Sequence, residues 1–352
     1  MKKIIILPLL FLATMGWGQA QFVVQNGTKT EVYNNINTAI ESAVAGDTLY
    51  LPGGGFTITS ATIDKTLHWV GHGHYPDSTA ATMQTRITTS LNFTGNCDNS
   101  SFEGILFTGS LNFGTSSNEA VNIKIKRCRV ISSLILRNAE TGNPDLNFQI
   151  SECVLQGIDA KYGSNCLVEK CLVFSYIDKF VQSSFNHNSI NVNGSSTYSY
   201  SAVRYSTSCS FTNNVYGLRG GFHSSNSNNL NNNVFAEGLP YNVSSTNGGT
   251  NNIYNVTSAN IYTDISQSAN IYTFDYGNDY HLNVSSTGTA EDGGASVSIL
   301  SSASDNTNAG IYGTTMPYKT IPYYPHINTA TISTVAVSDQ LGVDINAAAQ
   351  SR

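Results

Sequence analysis

Apolar and polar residues alternate with a period of two in short blocks that recur along the chain from about residue 101 onward. When the blocks are aligned, one apolar column is formed by Ile125, Ile150, Val168, Phe185, Phe211 and Leu230. A second apolar column lies further along each block and is formed by Val130, Leu155, Val173, Ile190, Tyr216 and Phe235. This alternation predicts β-strands that bury one face.

The blocks recur at intervals of roughly twenty residues, which suits one coil of a stacked β-structure. Runs of Ala, Leu, Glu and Lys are scarce, so a helical repeat does not fit the pattern. We therefore predict an all-β solenoid whose apolar columns stack from coil to coil at about 4.8 Å. The variable spacing of the blocks is then explained by insertions at the corners.

The repeated polar position that holds Asn188, Asn214 and Asn233 resembles the asparagine ladder of pectate-lyase-like proteins. The stretch NNINTAIESAVAGDTLYLPGGGFTI (34–58) is similar to the start of such proteins, where an amphipathic helix caps the first coil. Residues 278–314 resemble the closing coil of secreted bacterial members. The resemblance implies a single-stranded right-handed parallel β-helix with a short N-terminal capping helix and a C-terminal extended or hairpin tail. The architecture carries several unrelated activities, so it does not decide the function.

Three segments follow from these patterns. Residues 1–20 combine a basic start, an apolar run and a small-residue end, which is typical of a secretory signal peptide. Residues 21–315 are predicted to be the parallel β-helix domain, and 316–352 a capping tail with a hairpin around 339–342. We expect a protein secreted to the extracellular space, periplasm or cell surface, with no transmembrane segment, because no later stretch reaches roughly 18 apolar residues. We also expect a monomer.

The composition excludes some classes of protein. The chain has 352 residues, with 17 Lys plus Arg against 23 Asp plus Glu, a net charge of -6 and only 11% charged residues. An acidic chain without a basic run cannot neutralise phosphates, so nucleic acid is not an expected partner. A hydrophobic fraction of 40% is enough to form a core, so disorder is also excluded.

The six cysteines would ordinarily suggest disulfides in an exported protein. However, Cys128, Cys153 and Cys171 share one inward column of the repeat, where neighbouring side chains run parallel rather than converge. We therefore predict a buried ladder of free thiols beside a structural ladder of asparagines. No CxxC or HxxxH pair is present to indicate a zinc site.

A second strand follows each block, and its outward position is charged in several repeats. This outward column is predicted to contain Ile135, Asp159, Asp178, Arg204 and Arg219, with Lys161 on the same face. Arg137, His223 and the insertion residues Tyr198 and Tyr200 are expected to flank it, and the insertion 138–145 to form the opposite wall.

Two functional interpretations of this column involve a ligand. As a binding groove, it would hold an acidic polysaccharide, with Arg137, Tyr198, Tyr200 and His223 in contact with the sugar. As a catalytic centre like that of the resembling lyases and hydrolases, it would use Asp159, Asp178, Lys161, Arg204 and Arg219 as acid, base or charge-neutralising groups. We expect no required cofactor, and Asp159 and Asp178 are the candidate ligands if Ca²⁺ binds.

The third interpretation is a ladder of salt bridges that only stabilises a solvated sheet face. The leading hypothesis is an exported protein that binds an extracellular polysaccharide, with cleavage by β-elimination as its catalytic form. The competing hypothesis is a non-catalytic, adhesin-like surface or matrix protein. The motif GHGH (71–74) is expected to lie in a loop upstream of the coils, with His72 and His74 as its residues to test.

Overall fold

We describe the protein from a computed structural model. The described residues are 20–60, 62–142, 144–192, 201–218, 221–236, 246–265, 267–268, 271–291, 293, 295–320, 326–332 and 342–348. The predicted signal peptide, apart from Ala20, and the insertion with Tyr198 and Tyr200 lie outside the described residues, as does Arg219.

The first elements are a hairpin and a short helix. They are β1 (Phe22–Asn26), β2 (Lys29–Tyr33) and α1 (Ile36–Ser42). The Asn35 side chain caps α1 by accepting a hydrogen bond from the backbone N–H of Asn37 at 2.8 Å. The predicted amphipathic helix is confirmed, because α1 buries Ile36, Ala39 and Ile40.

Twenty-four strands lie in the described chain between residues 47 and 254. In chain order they are β3 (Asp47–Tyr50), β4 (Gly54–Phe56), β5 (Thr62–Ile63), β6 (Leu67–Val70), β7 (Thr85–Ile87), β8 (Leu91–Phe93), β9 (Ser101–Glu103), β10 (Leu106–Phe107), β11 (Leu111–Phe113), β12 (Lys124–Lys126), β13 (Arg129–Ile135), β14 (Gln149–Ser151), β15 (Val154–Ser164), β16 (Leu167–Glu169), β17 (Leu172–Val181), β18 (Ser184–Asn186), β19 (Ser189–Ile190), β20 (Ser201–Arg204), β21 (Ser210–Thr212), β22 (Val215–Tyr216), β23 (Gly221–His223), β24 (Asn229–Asn231), β25 (Val234–Phe235) and β26 (Ile253–Tyr254). Two 3-10 helices interrupt them, η1 (Asp77–Thr79) and η2 (Gly95–Cys97).

These strands form two long sheets, and the pairing follows the chain. Sheet A joins β2, β1, β3, β6, β9, β12, β14, β16, β18, β21 and β24 in that order, and it is parallel from β3 onward. Sheet B has two rows. The first row leads from β4, β7 and β10 to β26, the second leads from β5, β8 and β11 to β23, and β13, β15 and β17 belong to both. We define a layer as one strand of sheet A together with the sheet B segments that follow it in the chain. The described chain is thus mostly β, in long parallel sheets compatible with a β-helix.

The predicted alignment of the blocks is confirmed residue by residue. In sheet A, the Cα partners run in an unbroken line through Ile125, Ile150, Val168, Phe185, Phe211 and Leu230. In sheet B, a matching line runs through Val130, Leu155, Val173, Ile190, Tyr216 and Phe235. Both lines are buried, and the rings of Phe185 and Phe211 stack with their centroids 4.6 Å apart. Like side chains therefore pack on like side chains from layer to layer.

A sharp corner joins sheet A to the first row of sheet B in each layer. The residue at this corner has a positive φ in successive layers, and these residues are Gly104, Arg127, Glu152, Lys170, His187, Asn213 and Asn232. Simple alternation predicts an extended, outward residue here, and the structure instead places a left-handed turn. The left-handed conformation is strained for most side chains, so the repeat maintains it against a local cost.

The predicted thiol ladder is confirmed. All six cysteines are free and buried. The Cys153 thiol donates to the carbonyl oxygen of Ile125 in the preceding layer at 3.5 Å, and the Cys171 thiol donates to that of Ile150 at 3.7 Å. Burial raises the pKa of the Cys166 thiol to about 12, so this thiol stays protonated at neutral pH.

In the layers that follow the cysteines along the chain, asparagines occupy the same corner column and form the predicted ladder. The Asn214 Oδ1 atom accepts from the backbone N–H and from Nδ2 of Asn188, each at 2.9 Å. Asn214 in turn donates through Nδ2 to the carbonyl of Phe185 at 3.0 Å and to Asn233 Oδ1 at 3.1 Å. The ladder ends at the Glu291 carboxylate, which accepts from the backbone N–H of Asn252 at 3.0 Å. The amides therefore satisfy backbone groups that the sheets leave unpaired at the corner.

The described residues between 256 and 318, which we call the C-terminal strap, lie mostly across the outside of sheet B. Their regular elements are η3 (Ser258–Asn260), β27 (Tyr262–Asp264), β28 (Gln267–Ser268), β29 (Ile271–Tyr272), β30 (Asp279–Leu282), β31 (Thr287–Ala290) and β32 (Ser296–Ser298). The strap covers an outward apolar stripe of the first row, formed by Val154, Leu172, Val215 and Val234. The Gly310 N–H also donates to the carbonyl of Asn213 at 2.8 Å.

The prediction that residues 278–314 form a closing coil is therefore wrong for most of the segment. Among the described residues of this segment, β31 and β32 continue sheet B, and both pair antiparallel, β31 with β26 and β32 with β31. The remainder packs sideways, because the stripe it covers is apolar and would otherwise face water.

The predicted terminal hairpin is confirmed by β33 (His326–Ile332) and β34 (Val343–Ala348), which pair antiparallel. Strand β33 contacts the 3-10 helix η1, which follows β6 in an early layer. The hairpin thus lies beside an early layer. A tail that capped the last coil, as predicted, would instead contact β24 to β26.

Candidate functional site

The charged column lies in the second row of sheet B, on its outer face. Ile135 pairs with Asp159, Asp159 with Asp178, and Asp178 with Arg204 in consecutive layers. The preceding residue of each strand points inward, and Leu134, Ile158, Ile177 and Val203 are all fully buried. Strand alternation therefore turns Asp159, Asp178 and Arg204 to the outside, as predicted.

The next position in the column is His223, and the prediction that Arg219 stands there is wrong. Val203 pairs with Phe222, and Arg204 pairs with His223. The inward anchor is thus Phe222, whereas the sequence alignment used Leu218. Leu218 instead packs in the outer apolar cluster under the strap. The corner between β22 and β23 contains more residues than the sequence alignment assumed. Strand β23 therefore begins later in the chain than predicted. His223, expected in a flanking loop, lies in β23 with its ring 5.3 Å from that of Tyr205.

Arg204 is held by two contacts. One of its terminal nitrogens donates to Asp178 Oδ2 at 3.0 Å, and its guanidinium carbon lies 4.2 Å from the ring centroid of Tyr176. The Tyr176 ring also lies over Gly157 in the preceding layer, where a Cβ atom would come within 2.8 Å of it. Gly157 therefore makes room for the ring, and the ring supports the guanidinium.

Asp178 is the most unusual charged group of this face. It is 8% exposed, and its Oδ1 atom is buried without a hydrogen-bond partner. The pKa of Asp178 is raised to about 6, mainly by burial, because the opposing charge of Arg204 is not enough to offset burial and the neighbouring Asp159 also favours the neutral form. A carboxyl group with such a pKa gains and loses its proton near neutrality.

Asp159 is less buried than Asp178. Its Oδ1 atom accepts the backbone N–H of Lys161 at 2.8 Å, and burial raises its pKa above the ordinary value. Lys161 has a φ of 44°, which bends β15 away from regular alternation. Lys161 therefore lies beside Asp159, as predicted, through this backbone contact and through its charge, which opposes the rise in the Asp159 pKa.

The insertion 138–145 contributes Glu140 to the site. Glu140 Oε1 lies 2.7 Å from the Lys179 ammonium and 3.7 Å from that of Lys161. These contacts lower the pKa of Glu140, mainly through the hydrogen bond from Lys179. The insertion thus lies beside the column, as predicted. Lys179, Tyr176 and Glu140 were not singled out from the sequence, although the two charged residues stand out in so uncharged a chain.

Arg137 does not share this face, contrary to the prediction. It is 2% exposed, and it donates to Glu119 Oε1 at 2.7 Å and to the backbone carbonyl of Thr141 at 2.8 Å. It also donates to the carbonyl of Lys161 at 3.1 Å. Arg137 therefore anchors the insertion 138–145 from inside, where a ligand on the column cannot reach it.

The column offers few ligands for a cation. The described residues contain no group of three or more His, Cys, Asp or Glu side chains placed to hold a metal ion. Ca²⁺ prefers six to eight oxygen ligands, and Arg204 already provides positive charge beside Asp178. Our functional proposal therefore uses Asp159 and Asp178 as carboxyl groups without a metal.

The GHGH motif lies within the layers, not upstream of them as predicted. It follows β6, which pairs with β3 on one side and β9 on the other. His74 is buried, with its ring 4.5 Å from that of Tyr75, and burial lowers its pKa to about 3. The backbone N–H of His72 donates to Thr85 Oγ1 at 2.9 Å. His74 therefore stays neutral in an aromatic cluster between this loop and the strap.

Comparison of the sequence with protein-family models finds no match, and comparison with curated proteins finds none either. Among the described residues, no helix is long and apolar enough to cross a membrane.

Proposed function

We propose that the layers wind as a right-handed parallel β-helix and that this protein is an exported, pectate-lyase-like binder of an acidic polysaccharide. Parallel pairing in chain order supports the winding, and so does the asparagine ladder at one corner. The N-terminal helix α1 covers apolar residues at the start of the stack, as an end cap must.

The single observation that carries the binding proposal is the cluster on the outer face of β15, β17 and β20. It brings together Glu140, Asp159, Lys161, Asp178, Lys179 and Arg204 in a chain with only 11% charged residues. A guanidinium group stacked on a tyrosine suits a planar uronate carboxylate, and the tyrosine adds an apolar surface for a sugar ring. The column continues through Asn112 and Asn92, whose side chains are hydrogen-bonded at 3.0 Å, so the polar face extends over several layers.

Cleavage is part of the proposal because Asp178 can hold a proton near neutral pH. The Asp159 carboxyl group stands one layer away, at a strand spacing of about 4.8 Å. A bound polymer would thus meet two carboxyl groups with different surroundings.

The test is a binding titration with hexuronic acid oligomers, combined with an ultraviolet assay for unsaturated products with and without added Ca²⁺. We expect wild-type protein to bind, and Arg204→Met to weaken binding at least tenfold, since a charged hydrogen bond contributes about 1.5–3 kcal/mol. Lys124→Met is the matched control, because it removes a positive charge from the outer face of sheet A. Equal binding by both variants, or none by the wild type, would contradict the proposal.

The second candidate function, a non-catalytic surface or matrix rod, is favoured by one observation. The charges of the column pair with one another, Arg204 with Asp178 and both lysines with Glu140. For a rod, Arg204→Met would lower thermal stability and change no binding or cleavage signal.

A further inference from the structure

We propose that protonation of Asp178 switches this site on for anions, because neutral Asp178 releases the Arg204 guanidinium to bind a carboxylate of the ligand. The inference rests on the proposed function and adds its regulation by pH. Asp178 is thereby an internal competitor for the group that recognises the ligand.

The geometry places the competitor and the recognition group in direct contact. Arg204 donates to Asp178 Oδ2 at 3.0 Å, and its guanidinium is kept in place by the Tyr176 ring. The Arg204 Nε atom is buried without a partner, so the guanidinium does not use all its donors. Asp178 occupies a donor on one terminal nitrogen and neutralises the guanidinium charge, so a ligand carboxylate competes with Asp178 for the same group.

The charges around Asp178 balance while it is ionised. The carboxylates are Glu140, Asp159 and Asp178, and the cations are Lys161, Lys179 and Arg204. One added proton on Asp178 makes this set positive. His223, the partner of Arg204 in the next layer, and Asp159, the partner of Asp178 in the preceding layer, are the other titratable groups of the column. Their contributions must therefore be separated from that of Asp178 by experiment.

The buried Oδ1 atom is the oxygen of Asp178 that we expect to carry the proton. It has no hydrogen-bond partner, and burial disfavours the charged form of the carboxyl group. With a pKa of about 6, the neutral form predominates below pH 6 and falls roughly tenfold with each pH unit well above it. The carboxylates of a hexuronic acid remain ionised at pH 5, since ordinary carboxyl groups titrate near pH 4.

The experiment measures the dissociation constant of a hexuronic acid oligomer between pH 5 and pH 8. For the wild type we expect binding to weaken by about fivefold from pH 6 to pH 7 and by about fiftyfold from pH 6 to pH 8, in proportion to the neutral fraction of Asp178. Asp178→Asn, which is permanently neutral, is expected to bind at pH 8 as tightly as the wild type binds at pH 5. A sulfated oligomer, whose charge does not change in this range, should show the same pH profile.

Two controls separate the groups involved. Glu169→Gln removes a carboxylate from the outer face of sheet A and should leave the pH profile unchanged. His223→Gln should also leave it unchanged, and a flat profile in this variant would assign the switch to histidine and overturn the inference.

The inference also fails if Asp178→Asn binds with the same pH dependence as the wild type, although the proposed function would then stand. No binding by any variant at any pH would instead reject the proposed function. Thermal unfolding of each variant at pH 5 and pH 8 confirms that the compared proteins are folded.

Discussion

At the scale of single residues, Asp178 shows how burial changes an ordinary carboxyl group. Its neighbours in the column are a carboxylate on one side and a guanidinium on the other, and the guanidinium does not fully offset the burial. A buried carboxylate whose burial is not fully offset lowers the stability of the folded protein. Groups of this kind are common at sites that serve binding or catalysis.

The raised pKa predicts a pH-dependent stability. Because the folded pKa of about 6 exceeds the ordinary value of 3.8, folding is favoured by the bound proton below pH 3.8, and this contribution is lost as pH rises through 6. Asp178→Asn lacks this loss. Its unfolding free energy relative to wild type should therefore increase by about 2–3 kcal/mol between pH 4 and pH 8. Urea unfolding at both pH values measures it, and a constant difference between the two proteins would refute the shifted pKa.

The residue-level chemistry was only partly predictable from the sequence. Asp159, Asp178 and Arg204 followed from strand alternation, which needs no knowledge of distant contacts. Arg137 was misplaced because its burial depends on the path of the insertion 138–145, and Glu119, its partner, comes from an earlier layer. The role of Tyr176 depends on its tertiary contacts, because its ring lies over Gly157 of the preceding layer and supports the Arg204 guanidinium.

At the scale of elements, the corner ladder is the main polar structure inside the core. Each asparagine accepts from the layer before it and donates onward to the layer after it, until Glu291 receives the last N–H group. Since every member is satisfied by its neighbours, loss of one leaves several buried groups unpaired.

Asn214→Ala is therefore expected to lower the unfolding free energy by about 2–4 kcal/mol, because it leaves the backbone N–H of Asn188 and the carbonyl of Phe185 without partners. Asn112→Ala is the matched control, since among the described residues its side-chain amide is hydrogen-bonded only to Asn92 on the outer face. We expect this control to change stability by no more than about 0.5 kcal/mol. Equal effects in chemical denaturation would show that the ladder adds nothing beyond a surface amide pair.

The elements themselves were largely predictable, and their corners were not. A strand and its inward residues can be read from a period of two. A corner is set by which residue accepts a positive φ, and the charged side chains of Arg127, Glu152 and Lys170 give no sign of that conformation. The error at Arg219 has the same origin, because the length of one corner decided which residue entered the column.

At the scale of the whole molecule, the C-terminal strap reduces the apolar surface of sheet B that is exposed to water. The apolar stripe of Val154, Leu172, Val215 and Val234 would make the first row of sheet B an exposed hydrophobic face. The strap covers it, and the second row of sheet B remains the face that carries the charged column. Sheet B therefore has one row that the strap covers and one row that carries the charged column on its outer face.

Val215→Asp tests this arrangement. Val215 points outward from β22 yet is fully buried, so a carboxylate there would lose its hydration. We expect a loss of more than about 3 kcal/mol in unfolding free energy. Thr212→Asp, at an outward position of sheet A, should cost less than about 0.5 kcal/mol. A tolerated Val215→Asp, measured by thermal unfolding, would mean that the strap does not cover the stripe.

The sequence by itself determined the strands, the stacked inward columns, the thiol and asparagine ladders and the position of two carboxyl groups beside an arginine. These features depend on a short local repeat, and stacking simply copies it from layer to layer. The tertiary structure alone decided the path of the strap, the burial of Asp178 and Arg137, and the place of His223. Each of these depends on contacts between segments far apart in the chain or on the length of a corner, which a local pattern of apolar and polar residues does not encode.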